Sequence, residues 1–120
     1  MTLPNTRQET IEARRRLKAE YPILFDKIAA LLFRYDPIRI SFEVNPNEYE
    51  TEAATILPRL QNCQSAGDVQ RVVHEEFVRW FDGSIAGQEK DYRDIASEIW
   101  QMWQEHQRRN GKILLEPLSE

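Results

Sequence analysis

The chain has 120 residues and a formal net charge of -4, with 41% hydrophobic and 30% charged residues. This length suits one domain with one core, and this composition is too apolar for a disordered chain. No apolar run approaches the roughly 20 residues that a transmembrane helix needs, and the N-terminus lacks the apolar segment of a signal peptide. We therefore expect one domain, residues 1–120, in a cytoplasmic protein that does not enter a membrane.

Charge is distributed unevenly along the chain. Residues 1–40 contain eight Lys/Arg and five Asp/Glu, whereas residues 41–120 contain eight and fifteen. The acidic part argues against nucleic-acid binding, because phosphate contacts need clustered cations. The basic run Arg14 to Arg16 splays around a helix, since consecutive helical residues lie about 100° apart, so we expect it to be a solvated face.

Helical spacing dominates the N-terminal third. A capping box at Thr6–Glu9 starts a first helix whose apolar stripe is thin. We expect residues 1–21 to form a peripheral helix, through which two chains would be able to dimerise. Pro22 fits the first turn of a second helix that is apolar on nearly all sides and is therefore central. Asp36-Pro37 then disfavours helical geometry and turns the chain.

Two segments have the pattern of extended chain. Residues 38–44 alternate apolar and polar side chains, and residues 112–118 are the other extended candidate. Two strands alone are marginal in water, so we expect short extended segments within a helical protein.

Three further helices are expected. Asn45 to Glu48 and Ser65 to Asp68 are typical helix starts, and Pro58 should kink or shorten the helix between them. The last helix covers about residues 88–110 and ends at Gly111. The sequence therefore predicts an all-α fold of about five helices in one compact domain.

Patterns that specify catalysis are absent from the sequence. Cys63 is the only cysteine, and no helical pair of histidines supplies two zinc ligands, so we expect neither a metal nor a cofactor. Glu76 lies in an apolar arc beside His74, and these two with Tyr49 form the candidate pocket of an enzyme or small-ligand binder. The interpretation that we favour instead pairs Glu76 with an arginine at the edge of the core.

Glutamates are concentrated around the predicted start of the third helix. Such acids suit the first turns of a helix, where the macrodipole favours negative charge. They also form a candidate surface for a basic protein partner, to which a tryptophan on the flank of the last helix adds a hot spot. The candidate partner-binding residues are Glu43, Glu48, Tyr49, Glu50, Glu52 and Trp100.

Four segments together resemble a known family. They are YDPIRI, NPNEYETEAATILPRL, VHEEFVRWF and YRDIASEIW, and as a set they are similar to the YugE-like family of small bacterial helical proteins. The resemblance covers about residues 35–103 and implies a compact helical domain without an assigned activity. Some relatives also resemble immunity proteins that bind a toxin. We therefore expect a non-catalytic protein-binding or immunity-type domain, with a small-ligand binder or enzyme as the alternative.

Overall fold

The computed structural model describes the backbone of residues 7–37 and 49–115, and the side chains of 11–37 and 49–109. Within these ranges the chain forms six α-helices and two 3-10 helices, and no strand. The α-helices are α1 (Arg7–Glu20), α2 (Pro22–Tyr35), α3 (Glu50–Ile56), α4 (Ala66–Phe81), α5 (Gly83–Ala86) and α6 (Arg93–Leu115). The expected all-α fold is confirmed. None of the helices in these ranges combines the length and hydropathy that crossing a lipid bilayer requires.

α2 is the central helix, as its all-round apolar pattern predicts. Pro22 occupies its first turn, where the missing N–H leaves no hydrogen bond unmade. Phe25, Ile28 and Leu32 are fully buried. The helix ends at Asp36, which has a left-handed backbone and donates its N–H to the Leu32 carbonyl at 2.8 Å. The expected turn at Asp36-Pro37 therefore forms.

Proline and serine set the boundaries of the next two helices. α3 passes directly into the 3-10 helix Leu57–Asn62, which carries Pro58 in its first turn, so the expected shortening is confirmed. The Ser65 side chain then accepts a hydrogen bond from the Asp68 N–H at 3.2 Å and starts α4, as predicted. The helix start expected at residues 45–48 lies outside the described residues.

The buried side chains of α2 to α6 form one hydrophobic cluster. Phe77, on α4, lies at its aromatic centre: the rings of Tyr49, Phe81 and Tyr92 lie 6.0, 5.8 and 5.3 Å from the Phe77 ring. One shared core holds the helices together, which is the packing that a single compact domain requires.

The C-terminal part of α6 differs from the expectation. The helix passes through Gly111 and continues to Leu115, so the predicted stop at Gly111 and the extended segment over 112–115 are wrong. Glycine ends a helix where it adopts a left-handed backbone, whereas inside a helix it costs only about 1 kcal/mol relative to alanine. Residues 116–118 and the other extended candidate, 38–44, lie outside the described residues.

The connection between α4 and α6 contains two short helices that the sequence pattern did not predict. Asp82 ends α4 with a φ of 66°, and its carboxylate accepts hydrogen bonds from the N–H groups of Ser84 and Ile85 at the start of α5. The 3-10 helix Glu89–Tyr92 follows and leads into α6. Tyr92 anchors this connection, because its buried hydroxyl donates to the Ala86 carbonyl at the end of α5.

The free energy of unfolding should fall above pH 10 because of Tyr92. Burial raises the pKa of Tyr92 to about 12, whereas an unfolded tyrosine ionises near pH 10. Between these two values the unfolded chain loses the proton first, so the folded state loses stability as pH rises, by an amount on the order of 2 kcal/mol. Urea titrations at pH 9 to 12 should show a smaller fall for Tyr92→Phe than for the wild type. Parallel curves for the two proteins would contradict this assignment.

Candidate functional site

Two of the acidic residues predicted to face a partner, Glu50 and Glu52, are engaged within the chain. Glu50 lies 3.6 Å from Arg14 and 3.3 Å from Lys18, and these ion pairs attach the start of α3 to α1. Glu52 is buried, with only 4% of its surface exposed. Glu43 and Glu48 lie outside the described residues. The open acidic surface expected from the sequence is therefore not seen at Glu50 and Glu52, because the helix turns both toward its neighbours.

The two aromatic residues proposed for the same surface differ in exposure. Tyr49 is fully buried, and its hydroxyl donates to the Asp36 carboxylate at 2.6 Å, joining the end of α2 to the start of α3. Trp100 is half-buried against the core, whereas Trp103 is buried. Tyr49 therefore stabilises the contact between α2 and α3, and Trp100 is partly exposed to solvent.

Glu76 is paired with arginines, as the favoured interpretation predicts. Its carboxylate is fully buried and accepts a hydrogen bond from Arg59 at 2.9 Å, and Arg79 lies 3.5 Å away. The second guanidinium nitrogen of Arg59 donates to the exposed Glu75 at 2.7 Å. A buried carboxylate needs such partners, because an unpaired charge in the core is strongly destabilising. This network joins the 3-10 helix Leu57–Asn62 to α4.

His74 is engaged on a different part of α4. Its Nε2 lies 2.8 Å from the Gly87 carbonyl oxygen, and its ring lies 5.6 Å from the Tyr92 ring. His74 therefore contacts the segment after α5, while Glu76 contacts the 3-10 helix that precedes α4. The structure does not bring these two side chains together with Tyr49, and the two clefts described below are lined by none of the three.

Cys63 is buried at the end of the 3-10 helix Leu57–Asn62. Burial raises the pKa of its thiol, and its sulfur lies 3.6 Å from the Arg59 carbonyl oxygen. In the described part of the chain, no three histidine, cysteine or carboxylate side chains gather closely enough to hold a metal ion.

Two clefts lie where the α1–α2 connection meets α6, and we call them together the junction groove. The first, of about 320 Å³, is walled by apolar groups at the start of α2 and by Met102 on α6. We call it the apolar cleft. Its apolar wall consists of Pro22, Ile23, Leu24 and Met102, and its rim carries Lys27, Glu105 and Arg109.

The second cleft, of about 480 Å³, shares Glu20, Tyr21 and His106 with the first. We call it the amide cleft, because two glutamine side chains complete its wall beside a tryptophan. Its full lining is Glu20, Tyr21, Gln61, Trp103, His106 and Gln107. The junction groove thus combines an apolar half with a polar, aromatic half.

Sequence reasoning missed this groove. The sequence patterns assigned neither Tyr21 nor His106 to a candidate site. The missed signal is that Tyr21 directly precedes Pro22, where the first helix must end, so an aromatic side chain lies at a helix junction. Which part of the chain meets Tyr21 there depends on tertiary packing, and spacing within one helix does not specify it.

Known proteins do not identify this site, because no family model, no curated protein and no solved structure matches the chain. The resemblance to the YugE-like family therefore stays a prediction. The function has to be argued from the groove itself.

If Glu76 has a structural role, removing its charge should lower the free energy of unfolding. Glu76→Gln removes the charge that holds Arg59, and we expect the free energy of unfolding to fall by about 2 kcal/mol. This is below the range for breaking a fully buried pair, because the Arg59 side chain is 36% exposed and can reach water. Glu75→Gln is the matched control: it changes the other carboxylate on Arg59, which is 47% exposed, and should cost less than about 1 kcal/mol. Equal losses in urea titrations of the two variants would contradict the structural role of Glu76.

Proposed function

We propose that this protein is a non-catalytic helical domain that binds a basic protein partner across the junction groove. The observation that carries the proposal is Ile23, which is 62% exposed at the wall of the apolar cleft. An exposed large aliphatic side chain beside a concave apolar surface is typical of a protein-binding site, because the partner removes that surface from water. Tyrosine, tryptophan and arginine, which supply most interface hot spots, also line the groove.

The positions of the candidate catalytic side chains favour a binding function over catalysis. Glu76 is held by Arg59 in the core, and His74 contacts a backbone carbonyl. Tyr49 is buried against Phe77 and bound to Asp36. Each of these groups stabilises a contact between helices, whereas the junction groove presents polar side chains at a concave surface.

A basic partner is favoured by charge. Residues 41–120 contain fifteen Asp/Glu and eight Lys/Arg, so the protein attracts cationic proteins at long range, and such attraction speeds association more than it raises affinity. Glu20 lines both clefts and provides a local target for a cation, whereas Glu105 is paired with Arg109 at 3.5 Å. The immunity-type interpretation would make the partner a basic toxin.

The surface that we propose differs from the acidic surface predicted from the sequence. Glu50 is paired with α1 and Glu52 is buried, so neither presents an open carboxylate. Homodimerisation through the first helix also stays a prediction, and in this structure Leu17 of α1 packs against the chain's own core. A second copy of the chain is one outcome of the experiment below.

The alternative function, binding of a small ligand, also has an observation in its favour. Both clefts fall in the range of about 300 to 1,000 Å³ that small-molecule sites occupy. Neither cleft is lined by Glu76 or His74, the residues around which the sequence predicted a ligand pocket. Under this alternative the apolar wall would be covered by a ligand, and binding would not require a protein partner.

Exchanging Ile23 should weaken partner binding while preserving the fold. A photoreactive benzoylphenylalanine in place of Ile23, introduced in cells that express the chain naturally, would identify the partner by cross-linking and mass spectrometry. The affinity of the purified partner would then be measured for wild type, Ile23→Asp and Ile85→Asp. Ile85 is the matched control, because it is also an exposed isoleucine, at 55%, but lies on α5 outside both clefts.

We expect Ile23→Asp to weaken binding about 30-fold, the effect of a hot spot worth about 2 kcal/mol, and Ile85→Asp to change it less than about twofold. Equal affinities of the two variants would contradict the proposal. Cross-linking only to a second copy of the chain would replace the basic partner with a homodimer, and sedimentation velocity would measure it.

A further inference from the structure

The amide cleft combines aromatic rings with side-chain amides. Three rings form its aromatic part: Tyr21 lies 6.4 Å from Trp103 and 5.3 Å from His106, and Trp103 and His106 are stacked at 5.7 Å. Gln61, from the 3-10 helix Leu57–Asn62, donates a hydrogen bond to the Tyr21 hydroxyl at 3.4 Å. Three separate segments therefore build one aromatic surface.

The polar side chains around these rings offer acceptor oxygens and carry one formal negative charge among them. Glu20 is exposed at the end of α1 and lines the cleft, while Gln61 and Gln107 contribute side-chain amides. Lysine and arginine are absent from this lining. Among the ion pairs of the described residues, none includes Glu20. The cleft thus offers a carboxylate without a competing cation in its lining.

We propose that the amide cleft binds the guanidinium group of an arginine side chain supplied by the basic partner. This inference rests on the proposed function and specifies how the partner is recognised. A guanidinium is flat and stacks on aromatic rings, here the half-buried rings of Tyr21 and His106, and its five N–H donors match carboxylate and amide oxygens in one plane. A lysine ammonium is a compact, strongly hydrated charge, so it uses the rings and the amides less well.

The shared wall of the two clefts sets the arrangement expected in the partner. Glu20, Tyr21 and His106 border both clefts. The partner's arginine in the amide cleft and the partner's side chain that covers Ile23 must therefore lie next to each other on the partner's surface. On a helix such positions are three or four residues apart. The partner should therefore present an arginine and a large apolar residue on one face.

The experiment uses the full chain and a short probe. The acetylated and amidated peptide Gly-Arg-Gly would be titrated into the isotope-labelled protein, with the citrulline and lysine peptides in parallel. Citrulline has nearly the shape of arginine without its charge. We expect the arginine peptide to shift the NMR signals of the Trp103 indole and of the Gln61 and Gln107 side-chain amides. At equal concentration the citrulline peptide should shift these signals at least about tenfold less. The shifts caused by the lysine peptide should lie between the two.

Glu20→Gln should weaken binding of the arginine peptide about tenfold, because it removes the charge and keeps the size of the side chain. Glu89→Gln, which changes an exposed glutamate of the 3-10 helix Glu89–Tyr92, is the matched control and should leave binding unchanged. Equal binding of arginine and citrulline peptides, or equal effects of the two variants, would overturn the inference.

The same variants separate this inference from the proposed function. With the cross-linked partner, weaker binding of both Ile23→Asp and Glu20→Gln supports both proposals. Weaker binding of Ile23→Asp alone overturns the arginine site and leaves the partner-binding groove. If neither variant weakens binding, both proposals fail.

Discussion

The break between α1 and α2 is the constraint on which the candidate site depends. Pro22 has no N–H to donate, and its ring excludes the carbonyl four residues earlier, so a single straight helix cannot pass through this point. The helical hydrogen bonds nevertheless continue on both sides, from the Tyr21 N–H to Leu17 at 2.7 Å and from the Phe25 N–H to Tyr21 at 3.0 Å. The chain therefore bends at Tyr21, and this places the Tyr21 ring against α6 with a cleft on either side.

The buried ion pair at Glu76 supports the same site from a distance. Arg59 and Gln61 belong to one short 3-10 helix, and the salt bridge from Arg59 to Glu76 fixes that helix on α4. Gln61, two residues later, then reaches the Tyr21 hydroxyl and forms part of the amide cleft. Stability and the proposed binding site are thus linked through this segment, because a charge network in the core positions a side chain at the surface. Short 3-10 helices need such tertiary contacts, because their own hydrogen bonds are weaker than those of an α-helix.

Much of the fold could be predicted from local sequence signals. The cap at Ser65, the break at Pro22 and the shortening at Pro58 depend on the chemistry of one or two residues, and each is seen. The prediction that the last helix stops at Gly111 was wrong, because glycine permits a helix end without requiring one. Asp82, which ends α4 with a φ of 66°, was missed because a positive φ is favoured by glycine and is uncommon for aspartate.

The site was harder to predict than the fold, because it depends on contacts between distant segments. Sequence spacing showed that Glu76 lies in an apolar arc but did not identify Arg59 as its partner. An acidic side chain near a helix start can be solvated, ion-paired or buried. In this structure Glu50 is ion-paired with Lys18, and Glu52 is buried. Tyr21 and His106 meet only because α6 packs across the α1–α2 junction, a contact that neither segment encodes alone.

Hydroxyl-radical footprinting of the protein, free and saturated with its cross-linked partner, would test the central claim that the partner covers the junction groove. Radical attack reports the solvent access of individual side chains, and the groove contains several that react readily. We expect lower oxidation of the groove residues Ile23, Tyr21, Met102 and His106 in the complex, with Ile85 and Tyr35 unchanged. Protection of Ile85 or Tyr35 with unchanged oxidation of the groove residues would contradict it.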